Sequence, residues 1–243
     1  MDRRSPFSYR CGACGRCCHN QVISLSPAEL LSIARASGIA TGAARERYAD
    51  RRGSLLRFQA DGGCAALDGT RCSIHSGRPL ACRLYPLGLE RTPDGDRFIR
   101  LEPAQDSVGR YGVDGAVSDY LADQGVDSAL ELADRYRPLI AAMRERIETL
   151  VDFDEVEPRE FWRRAVAEAL REANYDANRL IDALFDPDGV GAACASIAAT
   201  IAAHLSILHA MIAATNNPAE LAVAAILLAV SLGYSPAEVA SAR

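Results

Sequence analysis

The sequence predicts a mainly α fold, in which a loop-rich N-terminal module with a small β-hairpin precedes a helical bundle region. Three observations support this assignment. Apolar residues recur at three- and four-residue spacing beyond residue 128; the preceding segment has little periodicity; and seven of the eight cysteines lie before residue 83. We therefore divide the chain into residues 1–112, a cysteine-rich module, and residues 113–243, a helical region.

The N-terminal module contains two predicted helices and one hairpin. Ser26-Pro27-Ala28-Glu29 is a capping box with proline at the first helical position, and it predicts a helix that ends near Gly38. A second short helix is predicted from Thr41 to Arg52, and the chain from Leu55 to Leu87 is predicted to be loop. The runs GLERT and RFIRL flank the turn sequence PDGD, which indicates a hairpin over 88–101.

Periodic apolar residues predict the helices of the second region. Beyond Ser128 they are Leu132, Tyr136, Leu139, Met143, Ile147 and Leu150. Further helices are expected over about 158–173, with Phe161 and Trp162 in the core, and over 176–186. Asn217-Pro218-Ala219-Glu220 and Ser235-Pro236-Ala237-Glu238 repeat the helix-start pattern of Ser26.

The C-terminal part is almost free of charge, which raises the question of a membrane. Residues 190–214 carry no formal charge, and 221–232 form a second apolar run. Ala and Ser dominate, His204 and His209 lie inside, and the second run is too short to span a bilayer. We therefore expect packed helices or a homo-oligomer contact rather than a membrane protein.

The charges are unevenly distributed. All 27 basic residues are arginine, and residues 1–100 hold 16 of them against 9 Asp and Glu. The net charge of that part is therefore +7. Since the net charge of the whole chain is −5, the remainder carries −12. The N-terminus, MDRRSPFSYR, has no apolar core followed by a cleavage site, so we expect a cytoplasmic protein and few disulfides.

Seven cysteines form the candidate metal site: Cys11, Cys14, Cys17, Cys18, Cys64, Cys72 and Cys82. Cys194 lies far away and is excluded. Because each of the two loops is too small to bury a core, we expect metal–thiolate bonds to hold them together. The glycines among them allow tight turns with backbone N–H groups pointing at sulfur, and Arg16, Arg71, Arg78 and Arg83 would help to lower the pKa values of the thiols.

The spacing leaves the metal open. Cys11, Cys14 and Cys17 match the first three ligands of the bacterial ferredoxin run, but Gln21 stands where the fourth cysteine is expected. Separated C-x2-C knuckles of a zinc ribbon are absent. Seven sulfurs exceed the four that one zinc ion or one cubane cluster requires, so either some lie outside the ligand set or the site is polynuclear.

The chain resembles the CxxCxxCC family of zinc- or iron-chelating proteins, which are also called YkgJ-like cysteine-cluster proteins. The resemblance is carried by CGACGRCC at 11–18 and by GGCAALDGTRCSIHSGRPLACRLYP at 62–86. The resemblance covers about 9–112, including Arg78-Pro79 before Cys82 and the Tyr85-Pro86 pair. It associates the chain with flagellin lysine N-methylase, and so implies an iron–sulfur cluster, S-adenosylmethionine as a donor and methyl transfer to protein lysines. Whether the chain is an enzyme is left open.

The sequence departs from the family pattern in the absence of a Cys-Pro-Gly from 104–112, which leaves an eighth thiolate missing. His75 stands where the family commonly has an aromatic residue; both His75 and His19 are candidates for a nitrogen ligand, although ordinary packed or exposed side chains are favoured. Arg78 is expected to donate to sulfur or to an acidic neighbour, and Tyr85 to pack over the site.

Three functions are compatible with these residues. The first is an iron–sulfur protein of the [4Fe–4S] type, with a protein substrate or partner. The second is a zinc protein with a structural metal site and a partner-binding helical region. The third, a nucleic-acid module, is disfavoured because the arginines have thiolates to neutralise and no aromatic stripe interleaves them.

Overall fold

The computed structural model describes residues 1–92, 95–171 and 178–236 and has the predicted mainly α architecture. In chain order, the helices are α1 (Pro27–Ser37), α2 (Thr41–Tyr48), α3 (Leu80–Leu84), α4 (Val117–Asp123), α5 (Val126–Asp134), α6 (Pro138–Leu150), α7 (Pro158–Ala169), α8 (Arg179–Leu184), α9 (Ile197–Ala214) and α10 (Pro218–Ser231). The strands are β1 (Pro6–Arg10), β2 (Ala49–Asp50), β3 (Leu55–Leu56), β4 (Leu67–Asp68), β5 (Arg71–Cys72), β6 (Leu87–Thr92), β7 (Gly95–Arg100) and β8 (Arg110–Ala116).

Helix α1 follows its sequence signals closely. The Ser26 hydroxyl accepts a hydrogen bond from the Glu29 N–H, and the Glu29 carboxylate accepts from the Ser26 N–H, which completes the predicted capping box. Gly38 ends the helix with a φ of 65°, a left-handed conformation that glycine adopts without a steric penalty. The helix is buried along most of its length.

Helix α2 is shorter than predicted, because it ends at Tyr48 rather than near Arg52. The chain then turns sharply, since Arg51 and Arg52 both have positive φ values before Gly53 at φ 111°. A Cβ on Gly53 would lie 2.6 Å from the Cβ of Phe185, so glycine is required for this close approach. Residues 49–50 and 55–56 pair as β2 and β3 instead of continuing the helix.

The segment between Leu55 and Leu87 is mostly loop, as predicted, but it also contains two-residue strands, a 3-10 turn at His75–Gly77 and one short helix. It contains the two-residue pair β4 and β5 and then α3, which carries Cys82. Helix α3 has only five residues and lacks apolar periodicity, so it had no sequence signal. The hairpin is also confirmed: β6 and β7 pair from Leu87↔Arg100 to Thr92↔Gly95.

Strand β1 pairs with β8, which the sequence did not predict. The antiparallel register runs from Tyr9↔Tyr111 and Arg10↔Arg110 to Pro6↔Ala116, with an irregularity between Pro6 and Ser8. This pairing places Tyr9 opposite Tyr111, and the cysteine run that follows it lies beside Val108.

The helical region forms a bundle around α10. The predicted apolar pattern from Leu132 to Leu150 is divided between α5 and α6, because the chain makes a turn at 135–137. Trp162 is buried in the core and Phe161 packs against it, as predicted. The predicted helices over 158–173 and 176–186 appear as α7 and α8. Residues 172–177 lie outside the described part of the chain, as do Ala237 and Glu238 of the helix start predicted at Ser235.

Helices α9 and α10 correspond to the two apolar C-terminal runs. Asn217 caps α10 as predicted, and most of α10 is buried. Helix α9 is long and apolar enough to span a membrane by length and composition, with 28% of its residues buried in the fold. Its buried face includes Ile201, His204 and Leu208, whereas His209 is exposed.

Two separate hydrophobic clusters organise the fold. The larger contains α1, α6, α8 and α10 residues such as Leu30, Met143 and Ile226. The smaller one, here called the hairpin cluster, consists of Phe7, Leu84, Leu87, Phe98, Val117, Tyr120, Leu121, Val126 and Leu130. Residues from both predicted regions of the chain contribute to each cluster.

Candidate metal centre

The first cysteine loop begins directly after β1. Cys11 is exposed, Cys14, Cys17 and Cys18 are half-buried, and a single 3-10 turn spans Arg16–Cys18. Gly15 precedes this turn with a φ of 71°, which permits the reversal that brings Cys17 and Cys18 to the inside. The His19 ring donates from Nδ1 to the Gly15 carbonyl at 3.0 Å and thereby closes the turn.

Backbone hydrogen bonds join the first loop to the second. The Cys64 N–H donates to the Cys18 carbonyl at 2.9 Å, and the Asn20 N–H donates to the Gly62 carbonyl at 2.9 Å. A β-bridge pairs His19 with Gly63 between them. The loops meet as predicted, but main-chain pairing contributes to their contact in addition to any metal.

Backbone N–H groups point at sulfur in both loops, as the glycine-rich pattern predicted. The Ala13 N–H donates to Cys11 Sγ at 3.3 Å, and the Ala66 N–H donates to Cys64 Sγ at 3.4 Å. At Cys64 this contact opposes the rise in the thiol pKa that burial causes.

One cavity brings the cysteines of both loops together. Its volume is about 900 Å³, and its wall includes Cys11, Cys17, Cys18, Cys64, Cys72 and Cys82. Cys14 does not line it, and Cys194 is exposed elsewhere in the chain. The structure therefore places six of the seven predicted site cysteines around a common space.

The thiols differ in how readily they ionise. A hydrogen bond from the Cys18 thiol lowers the pKa of Cys17 to about 7, and the same contact together with burial raises the pKa of Cys18. Hydrogen bonds from backbone N–H groups lower the pKa of Cys14. Burial raises the pKa values of Cys64 and Cys72, and raises that of Cys82 to about 12, with neighbouring thiols adding to the effect. A bound cation would reverse this penalty.

The arginines have different partners from those predicted. Arg78 donates to the His75 carbonyl at 2.7 Å and to Gln124 Oε1 at 2.7 Å, not to sulfur or to an acidic side chain. Arg83 donates to the carbonyls of Arg78, Ser76 and Gln124. Both guanidinium groups therefore fasten the loop around Cys82 to Gln124 at the end of α4. The charge of Arg78 lowers the pKa of Cys72, and Arg83 interacts electrostatically with Cys82.

The candidate nitrogen ligands are engaged elsewhere or exposed. His75 lies at the cavity wall, with its Nδ1 atom 3.2 Å from an Arg78 nitrogen. Burial and the two nearby arginines lower the pKa of His75, so its ring is neutral at pH 7. Nδ1 of His19 is taken by the Gly15 carbonyl, which leaves Nε2 as the atom available for a ligand bond.

Sequence reasoning missed Glu29, Tyr9 and Tyr120 as cavity-wall residues. Tyr85 borders the cavity, as predicted. The centroids of the Tyr9 and Tyr85 rings are 6.1 Å apart in an edge-to-face contact. The Tyr120 hydroxyl donates to the Tyr85 carbonyl. Tyr9 could have been predicted at the cavity wall, because it lies two residues before Cys11 in the sequence. Tyr120 could not, because only the tertiary fold brings it to the cavity.

The donor set fits a thiophilic metal in chemistry and in number, because zinc and iron–sulfur clusters are held by cysteine thiolates. Among residues 1–92, 95–171 and 178–236, no group of three or more His, Cys, Asp or Glu side chains is arranged to hold a metal ion. The fit thus rests on the thiols that surround the cavity and not on a completed coordination polyhedron.

Residues 10–102 match a family model named CxxCxxCC and described as "Putative zinc- or iron-chelating domain". This part of the chain is therefore similar to the CxxCxxCC domain. The matched range contains all seven site cysteines and ends just after β7. Comparison with curated proteins and with solved structures gave no match for the chain.

The description of the family model supports metal binding by the matched segment, residues 10–102. Its cysteines come from three places in the fold: the loop after β1, the segment around β5 and the short helix α3. Ligands from separate elements would link these elements when a metal is bound.

Proposed function

We propose that the CxxCxxCC domain binds an iron–sulfur cluster of the [4Fe–4S] type through cysteines of both loops. The observation that carries this proposal is the shared cavity, whose wall includes six thiols. One zinc ion and one [4Fe–4S] cluster each take four cysteine sulfurs, so six thiols suffice for either, and the preference for iron comes from the cysteine spacing.

Cys11, Cys14 and Cys17 have the spacing of the first three ferredoxin ligands, which supports iron over zinc. Cys64, Cys72 and Cys82 are the candidate ligands from the second loop. The cluster would supply redox or Lewis-acid chemistry; the chain's own groups would orient it through N–H···S contacts and through the arginine contacts that hold the loop around Cys82.

A structural zinc site is the second candidate, and one observation favours it. Cys64 belongs to the larger hydrophobic cluster, and Cys18 and Cys72 pack against that cluster. Metal bound at these positions would stabilise the core directly, with the helical region available for a partner. No redox change would be needed in that role.

Methyl transfer to protein lysines, with S-adenosylmethionine as donor, is the enzymatic form of the first proposal. It is supported by the resemblance to flagellin lysine N-methylase alone. Radiolabelled donor and a lysine-rich protein substrate would test it, since transfer of label to the substrate must depend on the metal-loaded chain.

Metal analysis of anaerobically purified full-length protein separates the two candidates. An iron–sulfur protein is expected to be brown, to contain iron and acid-labile sulfide, and to bleach on reduction. A stoichiometric zinc content without iron or visible absorption would overturn the iron–sulfur proposal and support the zinc site. If iron and sulfide are present, electron paramagnetic resonance of the reduced protein identifies the cluster type.

A further inference from the structure

The cavity extends beyond the cysteine loops. Its wall includes members of the larger hydrophobic cluster, such as Ala133 and Leu232, and members of the hairpin cluster, such as Leu87 and Leu130. The cavity therefore lies between two cores that do not merge, and it is larger than thiolate ligation of a metal requires. Its volume of about 900 Å³ falls within the usual range of small-molecule sites.

One side of the cavity, which we call the apolar wall, is formed by Leu87, Leu89, Leu130, Ala133, Val230 and Leu232. These residues come from β6, α5, α10 and the residue after α10, not from the cysteine loops. Leu87, Leu130, Ala133 and Leu232 are buried, with exposed fractions of 1–7%, so this side is shielded from bulk water. Water next to such a wall lacks hydrogen-bond partners, which favours an apolar occupant.

The polar groups beside the apolar wall already have partners. Arg91 donates to both carboxylate oxygens of Asp134, at 2.6 and 2.8 Å, and its side chain is 11% exposed. The Ser231 hydroxyl donates to the Leu228 carbonyl at 2.7 Å. Because Asp134 already neutralises the charge of Arg91, an anionic group on a ligand would gain little binding energy here.

We propose that this cavity binds a neutral, mainly apolar small organic molecule, which packs on the apolar wall while the cysteine loops close the opposite side. Its binding energy comes mainly from burying the apolar surface of the ligand. The site requires neither a particular metal nor an enzymatic activity.

The test uses the full-length, metal-loaded protein and N-phenyl-1-naphthylamine, a neutral apolar dye whose fluorescence rises in apolar surroundings. We expect saturable binding with one dye molecule per chain. Ala133→Phe places a ring in the cavity from α5 and should raise the dissociation constant by about tenfold or more, with the metal content unchanged. Ala129→Phe is the matched control on the same helix, because Ala129 does not line the cavity.

Ala133 is buried, so its variant must be shown to fold by circular dichroism. If the Ala133→Phe variant does not fold, Leu89→Asn is tested instead. Leu89 is half-buried in the hairpin, and the amide side chain should raise the dissociation constant of the dye because it replaces an apolar part of the wall. Non-saturable fluorescence with the wild-type protein would overturn the proposal. Equal dissociation constants for the wild type and a folded wall variant would overturn it as well.

Discussion

Oε1 of Glu29 accepts a hydrogen bond of 2.6 Å from the backbone N–H of Leu80, 51 residues further along the chain. Oε2 of the same carboxylate accepts from the Ser26 N–H and hydroxyl, both at 2.6 Å. One buried side chain therefore caps α1 and also fixes the start of α3, two residues before Cys82. Burial raises the pKa of Glu29, while these hydrogen bonds oppose the rise.

Glu29→Gln is expected to lower the free energy of unfolding by about 1–3 kcal/mol, because the amide group cannot accept every hydrogen bond that the carboxylate accepts. Denaturant unfolding of the full-length chain measures this loss. Glu46→Gln is the matched control, since Glu46 is exposed on α2. Equal stabilities of the two variants would show that Glu29 does not connect α1 to α3.

Gly77 provides a second connection between α1 and the cysteine-bearing loop. A Cβ at this position would lie 2.3 Å from the Ser32 carbonyl oxygen and 2.7 Å from the Ala36 Cβ. Gly77→Ala should therefore force the loop away from α1 and cost about 1–3 kcal/mol of stability. Gly88→Ala is the control, because its nearest neighbour would be 3.4 Å away, an ordinary contact. Thermal unfolding should give a lower midpoint for Gly77→Ala only.

The sequence predicted those features that depend on local patterns. Ser26 and Glu29 form a capping box through residues three apart, and the hairpin strands lie on either side of the sequence Pro-Asp-Gly, so both could be predicted from a short window. The second role of Glu29 could not, because the Leu80 N–H becomes its partner only through the tertiary fold.

The break between α5 and α6 was missed for a related reason. Tyr136 keeps the apolar spacing of the predicted helix, but the chain turns there, and the Tyr136 side chain packs inward on His204. The grouping of seven cysteines was read from their spacing, and six of them line one cavity. The apolar wall had no sequence signal, since its residues come from elements far apart in the chain.

Tyr136 and His204 form a buried hydrogen-bonded pair in the helical region. His204 donates from Nε2 to the Ala183 carbonyl at 2.9 Å, so its Nδ1 must accept from the Tyr136 hydroxyl at 2.8 Å. This arrangement requires a neutral ring. Burial lowers the pKa of His204 from 6.5 to about 4, although Asp186 and Asp188 oppose the change.

Stability should therefore depend on pH through His204. The unfolded chain takes up a proton near pH 6.5, whereas the folded chain resists until about pH 4, so stability falls as the pH decreases through this window. The loss should approach about 3 kcal/mol at the lower end. Denaturant unfolding at several pH values measures it in the wild type and in His204→Gln. The variant should show a shallower decrease, and parallel curves would refute the assignment.

The metal content of cysteine variants tests the central claim most directly. Full-length wild type, Cys17→Ser, Cys72→Ser and Cys194→Ser are purified in the same way and analysed for zinc and iron per chain. Cys17→Ser and Cys72→Ser should lose bound metal and stability together, because each removes a thiol from the shared cavity, whereas Cys194→Ser should keep the wild-type ratio. Full metal content in both cavity variants, or loss of metal in Cys194→Ser, would contradict the account.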